Sequence, residues 1–230
     1  MPTNHLRANG ERFWDTIEAS AKVGPGIAGG LRRLALSDSD REIRDLFRQW
    51  CEAAGCTVTV DQMGSMFARR AGREDLPPVM VGSHLDTQIA GGRYDGIVGV
   101  LAGLEIIRTL NDQGITTKRP IEVVNWTNEE GARFQPPMVA AGVFAGVYDL
   151  DWGLARPTRD PGPNEGATLG EELQRIGYAG AEQVGGREVD SYFELHIEQG
   201  PELDRIGVDV GVVTGGYAVR GMLIRIKGET

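Results

Sequence analysis

The residues that could carry out chemistry in this sequence gather around the stretch "VMVGSHLDTQIAGGRYDG", residues 79–96. His84 ends a short apolar run, and Asp86 and Asp95 follow it in a glycine-rich segment. In an extended strand, residues i and i+2 point to the same side. The spacing of His84 and Asp86 therefore predicts that Asp86 accepts the second ring N–H of the histidine, which would orient a metal-binding imidazole.

Two further polar groups follow apolar stretches. Glu129 and Glu130 come after "IEVVNWTN", and His196 lies near the end of "YFELHIEQG". Imidazoles and carboxylates together suit zinc, manganese, cobalt or nickel. The adjacent glutamates cannot point the same way, so one can bind metal while the other takes a proton from the attacking water. Each motif alone is more often an ordinary turn or edge strand, and only their combination favours a metal site.

The elements that must position these residues alternate between helix and strand. Ser37 and Ser39 are N-cap candidates for the second helix. A hairpin is predicted to turn near Met63 and Gly64. The predicted helices cover residues 10–22, 38–54, 96–110 and 169–176, and the other predicted strands are "PPVMVGS", "RPIEVVNWTNEEG" and "YFELHIEQG". This order favours an α/β fold with a mostly parallel sheet flanked by helices, and such sheets carry their chemistry at the carboxyl ends of the strands.

Composition excludes several classes of function. The chain has 230 residues, of which 40% are hydrophobic, so a packed core is expected. The formal net charge of −9 argues against nucleic-acid binding and against a polybasic membrane anchor. The amino-terminal stretch lacks the apolar core of a signal peptide, which predicts a cytoplasmic protein. Cys51 and Cys56 have no second cysteine pair, so we expect a reduced, packed pair.

Four motifs together resemble one enzyme family. The segments "GSHLDTQIAGGRYDGIVGVLAGLE", "VVNWTNEEGARF", "AAGVFAG" and "ELHIEQGPEL" resemble the binuclear-metal amidohydrolases that cleave N-carbamoyl groups. This family includes N-carbamoyl-L-amino-acid hydrolase, β-ureidopropionase and allantoate amidohydrolase, and it is related to the aminoacylases and metallo-exopeptidases. The resemblance implies a zinc-exopeptidase-like catalytic domain that acts on small ureido or amide substrates. Its products would be an amino acid, ammonia and carbon dioxide.

The resemblance also implies a set of metal ligands. His84 and His196 would hold one of two divalent metal ions, zinc, manganese, cobalt or nickel. Glu130 would hold the other, and Asp95 would bridge the two. An unusual cis peptide bond is implied between Asp95 and Gly96.

Three other residues receive roles from the resemblance. Asp86 would orient His84 from behind. Glu129 would be the general base, taking a proton from the attacking water and passing it to the leaving amine. Gln199 would contact the substrate.

The resemblance finally implies that this chain is part of a longer protein. Residues 1–214 would be the amino-terminal part of the catalytic domain, and residues 215–230 would begin a lid that makes the full-length parent a homodimer. The last metal-binding histidine would then be missing, so we expect one metal ion or none in this chain and weak or no activity alone. Two alternatives stay open: a related amide or peptide hydrolase, such as an aminoacylase or dipeptidase, and a non-catalytic metal-binding fragment.

Overall fold

A computed structural model describes residues 6–159 and 164–216. The chain divides into two compact units, Met1–Ile197 and Glu198–Thr230. The helices of the first unit are α1 (Gly10–Ser20), α2 (Asp38–Ala53), α3 (Ile97–Asp112), α4 (Val139–Phe144), α5 (Leu150–Leu154) and α6 (Leu169–Ile176). Its strands are β1 (Thr57–Val60), β2 (Met66–Arg70), β3 (Val79–His84), β4 (Ile121–Trp126) and β5 (Ser191–Phe193). The second unit contains α7 (Glu202–Ile206).

The strands form one five-stranded sheet in the order β1-β2-β4-β3-β5. β3 pairs in parallel with β4 on one side and with β5 on the other. The hairpin of β1 and β2 joins the sheet antiparallel to β4, and its turn contains Gly64 at a φ of +77°. The predicted α/β fold with helices flanking the sheet is confirmed. The sheet is mixed, and its parallel part carries the predicted site.

Local sequence signals explain where the helices begin. Ser37 is the N-cap of α2, since its side chain accepts a hydrogen bond from the backbone N–H of Asp40. Ser39, the other candidate, lies inside the first turn. A capping box of Thr168 and Glu171 begins α6. The helices predicted over residues 10–22, 38–54 and 169–176 are confirmed to within two residues at each end.

The two faces of the sheet are covered by different apolar clusters. One face carries Val81 and Val123 in the larger core cluster, and Gly103 of α3 lies directly over them. The other face carries a smaller cluster of Phe67, Met80, Val124 and Trp126, which packs against Phe144 of α4. Because both faces of β3 and β4 are buried, the carboxyl ends of these strands are firmly placed. Cys51 and Cys56 are free and buried, as predicted.

The strand predicted over "YFELHIEQG" is shorter than expected. β5 is only three residues long, and its ladder to β3 ends at the pair of Val81 and Phe193. The chain then leaves the sheet toward α3, where a Cβ added at Gly99 would lie 2.6 Å from the carbonyl oxygen of Leu195. His196 is therefore positioned by a coil segment that crosses the first turn of α3, rather than by a strand.

The predicted boundary between residues 214 and 215 stays a prediction, and residues 217–230 lie outside the described residues. Over the part of the chain that the structure describes, no helix is both long and apolar enough to cross a membrane.

Candidate metal centre

His84 stands at the buried carboxyl end of β3, where only 1% of the residue is exposed. Its ring Nδ1 lies 2.8 Å from the backbone carbonyl oxygen of Asp86. A carbonyl can only accept a hydrogen bond, so Nδ1 carries the proton of this contact and donates it. The other ring nitrogen, Nε2, is thereby presented to the site.

His196 presents the same nitrogen from the other side. Its Nδ1 lies 2.8 Å from the carbonyl oxygen of Ile197, and its Nε2 lies 3.2 Å from Asp95 Oδ1. His84 Nε2 lies 3.9 Å from that same carboxylate oxygen. One ligand atom from each of these three residues lies within 4.8 Å of the others. The structure therefore brings His84, Asp95 and His196 together.

Gly96 makes room for this arrangement. Its backbone has a φ of +65°, and a Cβ at this residue would collide with the ring of His84. The prediction of a cis peptide bond between Asp95 and Gly96 is wrong. Among the described residues, the cis peptide bond joins Gln135 to Pro136. The turn into α3 is made instead at Gly96, whose positive φ is accessible to glycine because glycine has no Cβ.

Asp86 acts differently from the sequence prediction. Its carboxylate is 3.8 Å from His84 Nδ1, too far for a hydrogen bond, and the histidine is oriented by the Asp86 main-chain carbonyl instead. The carboxylate accepts the backbone N–H groups of Glu129 at 3.1 Å and Glu130 at 3.2 Å. Asp86 therefore links the end of β3 to the loop that carries the acidic pair.

The two glutamates point in different directions, as expected for neighbours with different tasks. Glu129 Oε2 lies 3.3 Å from His84 Nε2. Glu130 Oε2 accepts a 2.6 Å hydrogen bond from Gln88 Nε2, while its Oε1 is buried and has no hydrogen-bond partner among the described residues. A buried carboxylate oxygen without a partner is costly unless a proton or a cation satisfies it.

Burial and neighbouring charges shift the proton affinities of this site. Burial is the largest influence on His84 and lowers its pKa, but Asp86, Glu129 and Glu130 together raise that pKa above the ordinary value. Burial raises the pKa of Asp86 to about 7, with His84 opposing the shift. Burial also raises the pKa of Glu129, again opposed by His84 and reinforced by Glu130. A carboxylate with a raised pKa is a better proton acceptor near neutral pH.

The donor set fits a divalent metal ion. Two imidazole nitrogens and a carboxylate oxygen converge at one point, which is the ligand set of many zinc sites. The unpartnered Oε1 of Glu130 is a further oxygen that a cation could satisfy. Glu130 does not belong to the three-ligand cluster, so the described residues supply one complete set of three ligands, with the carboxylates of Glu129 and Glu130 beyond it.

The last four residues of "HIEQGP", which include Glu198 and Gln199, lie in the second unit. Glu198 caps α7 by accepting the backbone N–H of Glu202 at 2.8 Å. Gln199 is exposed and has a left-handed backbone with a φ of +55°. Its contact with substrate stays a prediction.

Three further residues that the sequence patterns did not single out touch this centre or its supports: Ser83, Gln88 and Glu194. Glu194 had a usable signal, because it stands two residues before His196, the spacing that singled out Asp86 beside His84. Gln88 and Ser83 gave none, since a lone amide or hydroxyl in a loop or strand has no distinctive spacing.

Comparisons with known proteins place this centre in a family. An N-carbamoyl-L-amino-acid amidohydrolase of Rhizobium meliloti is 55% identical over 214 residues, which are 93% of this chain and 50% of that protein. One from Geobacillus stearothermophilus is 39% identical, covering 90% of this chain and 50% of that protein. The crystal structure of a hydantoinase/carbamoylase family amidase from Burkholderia ambifaria superposes with a TM-score of 0.88 at 54% identity, covering 92% of this chain and 51% of that one.

The chain thus spans about half the length of the curated relatives it matches. Residues 80–227 match the family model described as Peptidase family M20/M25/M40. This range includes every member of the three-ligand cluster. The chain belongs to the peptidase M20/M25/M40 family.

Proposed function

We propose that this chain contributes the metal centre and the general base of a hydrolase that cleaves the carbamoyl C–N bond of N-carbamoyl amino acids. One observation carries the proposal: the ligand atoms of His84, Asp95 and His196 converge, and Glu129 lies beside them, 3.3 Å from His84 Nε2. The relatives named N-carbamoyl-L-amino-acid amidohydrolases support the choice of substrate. Turnover is proposed for the protein at the length of those relatives.

The reaction requires activation of the substrate because a ureido carbonyl is a poor electrophile. A bound divalent ion would polarise that carbonyl and lower the pKa of a water molecule. His84, His196 and Asp95 would hold one such ion, and Glu130 would offer its buried Oε1 to a second. The nitrogen and oxygen donors suit zinc, manganese, cobalt or nickel.

Glu129 would move the proton. Its Oε2 would accept a proton from the attacking water as the water oxygen bonds to the carbamoyl carbon. The same proton would then pass to the departing amine nitrogen as the C–N bond breaks. The free amino acid leaves, and the carbamate decomposes to ammonia and carbon dioxide. Asp86 would keep this base in place, since it binds the backbone N–H of Glu129 and orients His84 through its own carbonyl.

Metal content and product release test this proposal together. We expect metal-stripped chain to bind about one equivalent of zinc, because the described residues form one three-ligand cluster. In the protein at the length of those relatives, ammonia release from N-carbamoyl-L-amino acids and from N-carbamoyl-β-alanine would then be compared with release of free amino acids from dipeptides and acyl-amino acids.

The variant Glu129→Gln separates binding from chemistry. It should keep the zinc stoichiometry and lose any turnover by at least about 100-fold, the range typical of general-base removal. The matched control is Glu188→Gln, an exposed glutamate. Faster release from dipeptides would favour a peptide hydrolase, and zinc binding without turnover on any substrate would favour the non-catalytic fragment. A chain that binds no zinc would contradict the metal centre itself.

A further inference from the structure

His196 needs a support that the sheet does not give it. The backbone ladder between β3 and β5 ends at Val81 and Phe193, three residues before the histidine. Its side chain is 32% exposed, whereas that of His84 is 1% exposed. Something beyond strand pairing must hold His196 Nε2 at 3.2 Å from Asp95 Oδ1.

The side chain of Glu194 supplies a link at the point where the ladder stops. Its Oε1 accepts a 2.6 Å hydrogen bond from Ser83 Oγ, and its Oε2 accepts a 2.7 Å hydrogen bond from Tyr192 Oη. Ser83 is completely buried and precedes the ligand His84. We call Ser83, Tyr192 and Glu194 the Glu194 bridge.

The Glu194 bridge also reaches the strand that carries the acidic pair. Tyr192 Oη accepts a 3.1 Å hydrogen bond from Trp126 Nε1, and Trp126 is the last residue of β4. The bridge therefore joins the ends of β3, β4 and β5 through hydrogen bonds between side chains rather than between backbone groups.

We infer that Glu194 is a positioning residue for the metal centre: its two hydrogen bonds fix the coil segment after β5 so that His196 faces Asp95. This inference rests on the proposed metal site. It does not require Glu194 to touch metal or substrate, since both oxygens of its carboxylate already accept hydrogen bonds from Ser83 and Tyr192. Charge-assisted bonds of this length are among the stronger ones available to a partly exposed side chain.

The first test is zinc affinity, measured by competition with a chromophoric chelator. Glu194→Ala should bind zinc about 10–100-fold more weakly than the wild-type chain, the usual cost of losing an outer-shell partner. Glu194→Gln keeps an oxygen acceptor for one hydroxyl and should recover part of the loss. Ser83→Ala and Tyr192→Phe each remove one of the two hydrogen bonds to Glu194 and should each give a smaller loss, and Tyr192→Phe also removes the bond from Trp126. The control, Glu188→Ala, removes an exposed glutamate and should leave zinc affinity unchanged.

The second test needs no metal. The chain has three histidines, so long-range ¹H–¹⁵N spectra of the imidazole rings can be assigned by substitution. The wild-type chain should show His196 as a single tautomer with a protonated Nδ1, as its bond to the Ile197 carbonyl requires. Glu194→Ala should shift the His196 signals toward an average of tautomers and leave the His84 signals in place. A merely structural role would lower the melting temperature without moving the His196 signals selectively.

The outcomes separate the two proposals. Unchanged zinc affinity together with unchanged His196 signals in a folded Glu194→Ala chain would overturn the inference. Wild-type chain that binds no zinc would overturn the metal site, and the imidazole spectra would still decide whether Glu194 positions His196. If Glu194→Ala does not fold, as judged by circular dichroism, Ser83→Ala and Tyr192→Phe decide the inference by the same two measurements.

Discussion

The two histidines of the candidate metal centre are held in opposite ways. His84 ends a six-residue strand that pairs on both sides, and its side chain is 1% exposed. His196 follows a three-residue edge strand at a distance of three residues, and its side chain is 32% exposed. In both rings, the Nδ1–H nevertheless donates a hydrogen bond to a backbone carbonyl, and Nε2 faces Asp95.

This difference separates stability from function. A ligand built into the core shares its packing with the rest of the fold, so its replacement should damage both. A ligand held by a few side-chain hydrogen bonds at the surface can be lost with little effect on folding. Variants at each histidine and at the glycines beside them test that distinction.

Removing either histidine ligand should have the largest effect on zinc affinity. His84→Ala and His196→Ala should each weaken zinc binding by more than about 100-fold, because even an outer-shell partner is worth 10–100-fold. In metal-free buffer, His84→Ala should also lower the free energy of unfolding by about 2–3 kcal/mol through the cavity it leaves. His196→Ala should change it by less than about 0.5 kcal/mol. Urea denaturation in the presence of a chelator measures both, and equal losses of stability would contradict the comparison.

Asp61, a buried carboxylate in the turn between β1 and β2, makes the free energy of unfolding depend on pH. Its Oδ1 accepts the backbone N–H groups of Met63 and Ser65, its Oδ2 is buried without a hydrogen-bond partner among the described residues, and burial raises its pKa to about 7. The folded state then holds a proton that the unfolded chain releases near pH 4. The free energy of unfolding should therefore fall as pH rises from about 4 to about 7, by at most about 4 kcal/mol.

The variant Asp61→Asn should remove the contribution of Asp61 to this dependence and leave that of Asp86, whose pKa is also raised to about 7. The measurement is the difference in unfolding free energy between wild-type and variant chains at pH 4.5 and at about pH 8. The control, Asp151→Asn, changes an exposed aspartate and should show no such trend. A difference for Asp61→Asn that stays constant over this range would contradict the assignment to Asp61.

Gly96→Ala should disturb the His84 side of the centre. Alanine at a φ of +65° is strained, and its Cβ would collide with the His84 ring, so we expect a loss of about 2–3 kcal/mol of stability and weaker zinc binding. Gly55→Ala is the matched control, because Gly55 has a φ of +81° but open space around it. It should lose only about 1 kcal/mol, with zinc affinity unchanged. Equal effects of the two variants would mean that the ring contact is unimportant.

Gly99→Ala should disturb the His196 side with the smallest effect on stability. Alanine gains about 1 kcal/mol over glycine in a helix, but here its Cβ would lie 2.6 Å from the carbonyl oxygen of Leu195 and 2.9 Å from Ser83 Cβ, and these collisions oppose that gain. We expect little net change in stability and roughly tenfold weaker zinc binding, by analogy with the loss of an outer-shell contact. Gly170→Ala in α6, where a Cβ has ordinary contacts at 3.4 Å or more, should gain stability without changing zinc affinity. Unchanged zinc affinity in Gly99→Ala would show that Leu195 does not position His196.

Periodicity and capping signals were sufficient to predict much of the fold. The helix that begins after Ser37 has a polar cap, acidic residues in its first turn and a regular apolar face, so local chemistry determines it. β3 and β4 are short apolar runs buried on both faces, which is typical of parallel strands. The predicted ligands His84 and Asp95 lie in one glycine-rich segment whose turn is required by sequence, since only glycine tolerates the backbone of Gly96 beside the ring.

Only the tertiary structure decided how these residues contact one another. Alternation predicted that the Asp86 carboxylate would bind His84, but that carboxylate turns to the backbone of Glu129 and Glu130, which lie more than forty residues away in the chain. Alternation also extended β5 too far, because the point where a ladder ends depends on the neighbouring strand and on the space over Gly99. The sequence by itself determined which side chains could bind a metal ion. Their distances, their protonated nitrogens and the Glu194 bridge depend on contacts between distant segments, which local patterns do not encode.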